Sequence, residues 1–136
     1  IDGQVKSSIN KGLLVLLGIG SNDGEEDIQW LVKKLVALRI FDDEAGVMNR
    51  SVTDVKGEIL VVSQFTLMAS YKKGNRPSWI HAAPHEISIP LYHRFCEVLT
   101  QTLDKEIGTG EFGADMKVEL LNDGPVTICM DSRNKE

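Results

Sequence analysis

The stretch Glu58-Ile59-Leu60-Val61-Val62-Ser63-Gln64-Phe65-Thr66-Leu67-Met68 decides the fold. Its aliphatic and β-branched residues give the strongest strand signal in the chain. Polar residues enter after Val62. In regular strand geometry Ser63 and Phe65 face one way, Gln64 and Thr66 the other. A site using both hydroxyls therefore needs a bulge or a strand end here. The bland alternative is the outward face of an amphipathic strand.

Upstream, Leu13-Leu14-Val15-Leu16-Leu17 is apolar without alternation, which predicts a strand buried on both faces. Residues 18–24 form a glycine-rich turn. A helix is expected over about residues 25–38, where Ile28, Leu31, Val32 and Leu35 recur at three- and four-residue steps. Asp23 with Glu26 resembles a capping box. A second helix lies within residues 84–103, with Leu91, Phe95, Val98 and Leu99 on one face. Pro90 means that it either starts there or has kinked first turns. Shorter strands are expected at residues 39–41, 52–55, 115–121 and 126–130, with Met116, Val118 and Leu120 inward. Residues 1–5 read as a strand tail entering a turn at Asp2-Gly3. The class is α/β (α+β): a single compact domain over 1–136, with mixed, mostly antiparallel β-sheets and two main helices.

The chain has 136 residues, with 15 Lys+Arg against 20 Asp+Glu, a net charge of −5. That balance excludes a uniformly basic nucleic-acid coat protein but allows a local basic patch. No apolar stretch is long enough to span a membrane as a helix, and no secretory leader pattern follows Ile1. A cytoplasmic protein is expected. Cys96 and Cys129 lack the spacing of a disulfide framework or zinc knuckle and read as small buried hydrophobes.

Five segments invite chemistry. The glycines of residues 18–24 miss the dinucleotide and P-loop spacings, leaving a flexible loop or a helix N-terminus able to hold an anion. His81 and His85 are four apart, but Pro84 intervenes and no metal site is completed, so no metal is expected. Lys72, Lys73 and Arg76 share one loop with no acid, flanked by Tyr71 and Trp79; this is a solvated loop or a phosphate-contacting patch. Ser63 or Thr66 as a nucleophile needs a base and an orienter, and no motif links a histidine to them. Asn122-Asp123-Gly124-Pro125 reads as a turn, a candidate for a cis Gly–Pro bond, where glycine lets backbone approach a ligand closely.

Together these segments resemble the D-aminoacyl-tRNA deacylase family. The resemblance runs from Lys11-Gly12-Leu13 through Phe41-Asp42-Asp43, Met48-Asn49-Arg50 and Ser63-Gln64-Phe65-Thr66. It continues through Arg76-Pro77-Ser78 and Phe112-Gly113-Ala114-Asp115-Met116 to Asn122-Asp123-Gly124-Pro125-Val126-Thr127. It implies the family's fold and hydrolysis of the ester joining a D-amino acid, or glycine, to tRNA. It implies a homodimer with active sites at the subunit interface and no metal or organic cofactor. The catalytic segment falls on Ser63, Gln64, Phe65 and Thr66. Substrate binding falls on Gly124 and Pro125, reaching into the partner's site, and on Phe112 and Met116. Lys72, Lys73 and Arg76 fall where the acceptor end of the tRNA would be contacted. Family members begin with a further strand, and this sequence is expected to lack it. The competing readings are a non-catalytic RNA-end binding module and a Ser/Thr esterase of small esters.

Overall fold

The aliphatic runs of residues 13–17 and 59–62 find their partners in each other. A computed structural model describes all of residues 1–136. In chain order its elements are β1 (Gly12–Leu17), α1 (Glu25–Ala37), β2 (Phe41–Asp42), β3 (Met48–Arg50) and β4 (Glu58–Ser63). A 3₁₀ turn (Phe65–Met68), α2 (His85–Leu103) and β5 (Gly108–Thr109) follow. β1 lies parallel to β4, with Gly12 opposite Glu58 and Leu17 opposite Ser63. β5 pairs parallel to the other edge of β4, giving the order β1-β4-β5. Gly12 allows the close approach at the start of this ladder: a Cβ there would lie 1.8 Å from the Glu58 carbonyl oxygen.

Both helices bury one stripe. Ile28, Val32 and Leu35 of α1 and Tyr92, Phe95, Val98 and Leu99 of α2 form one core cluster with Leu17, Ile59 and Val61. Ile59, Val61 and Leu99 are completely buried. α2 starts at His85 and continues through Pro90. The missing Pro90 N–H leaves the Glu86 carbonyl without its helical donor.

The α/β class and the two main helices are as expected, but the sheet is not mostly antiparallel. Antiparallel pairing is confined to the β2–β3 hairpin and two isolated bridges. The reason is connectivity: α1 carries the chain back between β1 and β4, so the two long strands run the same way. β1 is an edge strand, and Leu16 is exposed rather than buried on both faces. Residues 52–55 turn instead of extending, with Ser51 and Asp54 exchanging side-chain and backbone hydrogen bonds. The first residues close a turn, Gln4 N–H donating to the Ile1 carbonyl, and form no strand. Residues 115–121 and 126–130 are in neither sheet. The cap of α1 sits one residue later than expected. Asp27 accepts from the Gly24 N–H, while Asp23 accepts from the Gly20 N–H.

One buried side chain lacks a partner, the Ser88 hydroxyl on α2. Urea unfolding should separate two kinds of buried residue. Leu99→Ala, which empties a packed site, is expected to cost about 2–5 kcal/mol. Ser88→Ala removes an unsatisfied hydroxyl and is expected to leave stability unchanged or slightly raised.

Candidate functional site

The end of β4 is set by a hydrogen bond. The Leu17 carbonyl accepts from the Gln64 N–H at 2.8 Å, closing the ladder one residue beyond Ser63. The chain then winds into the 3₁₀ turn, so Ser63, Gln64, Phe65 and Thr66 occupy a strand end rather than a continuing strand. This is the local geometry that lets residues of opposite parity serve one site. Gln64 Nε2 donates to Thr66 Oγ1. Ser63 and Thr66 have no histidine or carboxylate hydrogen-bonded to them, so no base–orienter pair of the hydrolase type is assembled. The three histidines are exposed, and no group of His, Cys, Asp and Glu has the makings of a metal site.

The loop of residues 18–24 backs this segment. A Cβ on Gly18 would lie 3.4 Å from the Gln64 carbonyl oxygen, and one on Gly20 would lie 3.3 Å from Met68 Cε. Asp23, Glu25, Glu26 and Asp27 crowd the α1 N-terminus, with Arg133 and Lys135 beside them, a balance that disfavours an anion there.

Phe65 is half exposed and meets the Trp79 ring edge-on, with centroids 5.2 Å apart. Trp79 follows the basic loop, whose ends are held by reciprocal Ser70–Ser78 backbone bonds of 2.8 Å. Lys72, Lys73 and Arg76 in that loop are exposed and make no ion pair.

On the other side of β4, the Val61 carbonyl accepts from the Gly110 N–H at 3.1 Å and the Tyr92 hydroxyl at 2.9 Å. Burial above all, with Cys96 beside it, pushes the Tyr92 phenol far up and keeps it protonated. Tyr92 and His85 both meet Phe112 edge-on, at 6.0 and 5.6 Å. Gly110 leaves room for Met116, whose sulfur would lie 2.6 Å from a Cβ there. A cavity of about 500 Å³ opens here, lined by Tyr92, His93, Cys96, Gly110 and Phe112 among others. Sequence reasoning missed Tyr92; the signal was a phenol on the apolar face of a helix, which must find an acceptor when buried.

Gly124 and Pro125 are joined by a cis bond, with Gly124 at φ +117°. They stand at the tip of an exposed arm, where Asn122 Nδ2 donates to Thr127 Oγ1 at 3.0 Å. No hydrogen bond connects them to Ser63–Thr66 within this chain. Cys129, on the same arm, is exposed and not a buried hydrophobe, because nothing in its own chain covers it; Cys96 is half-buried.

The Tyr92 bond is separable from its packing. Tyr92→Phe keeps the ring against Phe112 and is expected to cost about 1 kcal/mol in urea unfolding.

A family described as D-Tyr-tRNA(Tyr) deacylase matches residues 1–131. A Bacteroides thetaiotaomicron protein named D-aminoacyl-tRNA deacylase is 71% identical over 136 residues, all of this chain and 91% of the relative. One of the same name from Flavobacterium psychrophilum is 59% identical over the same span. A solved structure titled c-Myc DNA Unwinding Element Binding Protein has a TM-score of 0.86 at 43% identity, covering 93% of this chain and 85% of that one. A structure of a probable eukaryotic D-amino acid tRNA deacylase aligns at a TM-score of 0.59 and 22% identity, over 71% of this chain and 56% of the other, a likeness of fold.

Proposed function

The chain belongs to the D-Tyr-tRNA(Tyr) deacylase family and hydrolyses the ester of D-aminoacyl-tRNA, and we propose that it does so without a side-chain nucleophile. The observation that carries this reading is the strand end at Ser63–Thr66, where two hydroxyls stand with no base to activate them. An aminoacyl ester is already reactive, so positioning and charge stabilisation suffice. Water attacks the ester carbonyl, assisted by the neighbouring 2′-hydroxyl of the terminal ribose. Backbone N–H at Phe65 donates to the oxyanion that develops on the carbonyl oxygen. The tetrahedral intermediate collapses, the ribose oxygen leaves with a proton, and the free amino acid and tRNA result.

Selectivity comes from the backbone. Gly124 and Pro125 present carbonyls instead of side chains, so they reject the L-hand whatever residue the substrate carries, and they pass glycine. They act in a partner's site. The arm that carries them has exposed Leu120, Leu121 and Ile128, 58%, 91% and 51% accessible, and its backbone is unpaired within its own chain. A homodimer with active sites at the interface brings each tip to the Ser63–Thr66 segment of the other subunit. Phe112, with Met116 behind it, forms the wall against the terminal adenosine. Lys72, Lys73 and Arg76 meet acceptor-end phosphates, while the net charge of −5 favours product release. No helix is long and apolar enough to cross a membrane, and a cytoplasmic setting fits a tRNA substrate.

Incubation with D-aminoacyl-, L-aminoacyl- and glycyl-tRNA tests this reading. The D and glycyl esters should be cleaved and the L ester spared. Thr66→Ala should retain measurable deacylation, and its complete inactivity with intact folding and tRNA binding would defeat the mechanism. A pure binding module would cleave none of the three, and a small-ester esterase would show little chiral bias. Replacing Lys72, Lys73 and Arg76 with Gln should raise KM and flatten its salt dependence, leaving kcat unchanged.

A further inference from the structure

Residues 116–130 make no backbone–backbone hydrogen bond, yet the chain does not end loose. Met130 packs against the core cluster. Beyond it, the Arg133 guanidinium reaches Asp23 Oδ1 at 3.3 Å, Asp27 Oδ2 at 2.9 Å and the Asn22 carbonyl. Lys135 Nζ lies 4.9 Å from the centre of the Trp30 ring on α1. The arm is thus a span with two bases, one at Met116 against Gly110 and one at this tail.

The acceptors of Arg133 are already fixed by the fold. Asp23 Oδ2 takes the Gly20 N–H at 2.7 Å, and Asp27 Oδ2 takes the Gly24 N–H at 2.9 Å. Their side chains are 23% and 14% exposed. Burial raises the Asp27 carboxyl. The Gly24 N–H, Ser132, Arg133 and Lys135 outweigh that and hold it below its ordinary range. An isolated surface ion pair contributes little. Here one planar fork meets two preset carboxylates and a carbonyl, the geometry in which arginine orders its partners at small entropic cost. The loop it grips, residues 18–24, is the one that backs Gln64 and Met68.

We propose that Arg133 is a positioning residue for the chiral site: by tying the tail to residues 22–27 it sets the height at which the arm presents Gly124 and Pro125. The inference rests on the reading that these two residues discriminate the substrate's hand. Arg133 touches neither substrate nor reacting atoms and acts through the arm alone.

The test compares wild type with Arg133→Gln in steady-state hydrolysis of D- and L-aminoacyl-tRNA, with melting temperature as the control. The ratio of kcat/KM for D over L is expected to fall about tenfold, equivalent to about 1.4 kcal/mol of lost discrimination. The melting temperature should hold, since the latch lies outside the core. A ratio unchanged within twofold would overturn the proposal, as would a loss that tracks global destabilisation. Hydrogen exchange separates this from the underlying reading. The amides of Gly20 and Gly24, bonded to the two carboxylates that Arg133 grips, should exchange several-fold faster in Arg133→Gln while those of the middle of α1 stay protected. Unchanged exchange removes the latch even if wild type is D-selective. Faster exchange in a protein without D-selectivity keeps the latch and removes the chiral reading.

Discussion

The parallel ladder between β1 and β4 and the bond that ends it govern the rest of the molecule. With Leu17 opposite Ser63, the next N–H, that of Gln64, is taken by the Leu17 carbonyl, and the ladder closes. The chain is then free to wind into the 3₁₀ turn. Side chains that a strand would send to opposite faces are gathered at one end of the sheet. The proposed site sits where a parallel sheet presents the carboxyl ends of its strands, the usual place for ligands in such sheets. The same ladder explains the wall across from it. β4 holds Val61 in register, and its carbonyl receives Gly110 from the loop after β5 and Tyr92 from α2. Phe112 is placed by that junction.

A second constraint comes from backbone groups that must be satisfied. Residues 116–130 make no backbone–backbone hydrogen bond among residues 1–136 and expose leucines and an isoleucine. The proposed dimer brings two glycine- and proline-bearing tips to two hydroxyl-bearing strand ends. On this account specificity and assembly are one interaction. The Arg133 anchor on residues 22–27 would then couple the geometry of the tip to the loop that backs the proposed hydrolytic segment.

Much of this was readable from residues. The spacing of Ile28, Val32 and Leu35 gave α1 almost to its ends, because a 3.6-residue stripe is a local property. The need for a strand end at Ser63–Thr66 followed from side-chain alternation alone. Pairing was not readable. Alternation at Met116, Val118 and Leu120 reports that a strand has an apolar face, not which chain covers it, so an inward-facing strand was expected where the single chain leaves an exposed arm. The same limit hid the parallel sense of the main sheet and the exposure of Leu16 and Cys129. Tyr92 and Arg133 were invisible for another reason. Their partners lie 31 residues away for Tyr92, and 106 and 110 residues away for Arg133, and no local pattern marks such distances.

The central claim is that each hydrolytic segment works with the Gly124–Pro125 tip of the other subunit, and mixed dimers test it most directly. Phe65→Pro removes the proposed oxyanion donor. Gly124→Val places a side chain where a Cβ would lie 2.9 Å from Val126 Cγ2, on a backbone at φ +117°. Each variant alone should be inactive on D-aminoacyl-tRNA. Purified heterodimers pair one intact segment with one intact tip from the other chain and should recover about half of wild-type turnover. Heterodimers as inactive as their parents would contradict the account, because they would place segment and tip on the same chain.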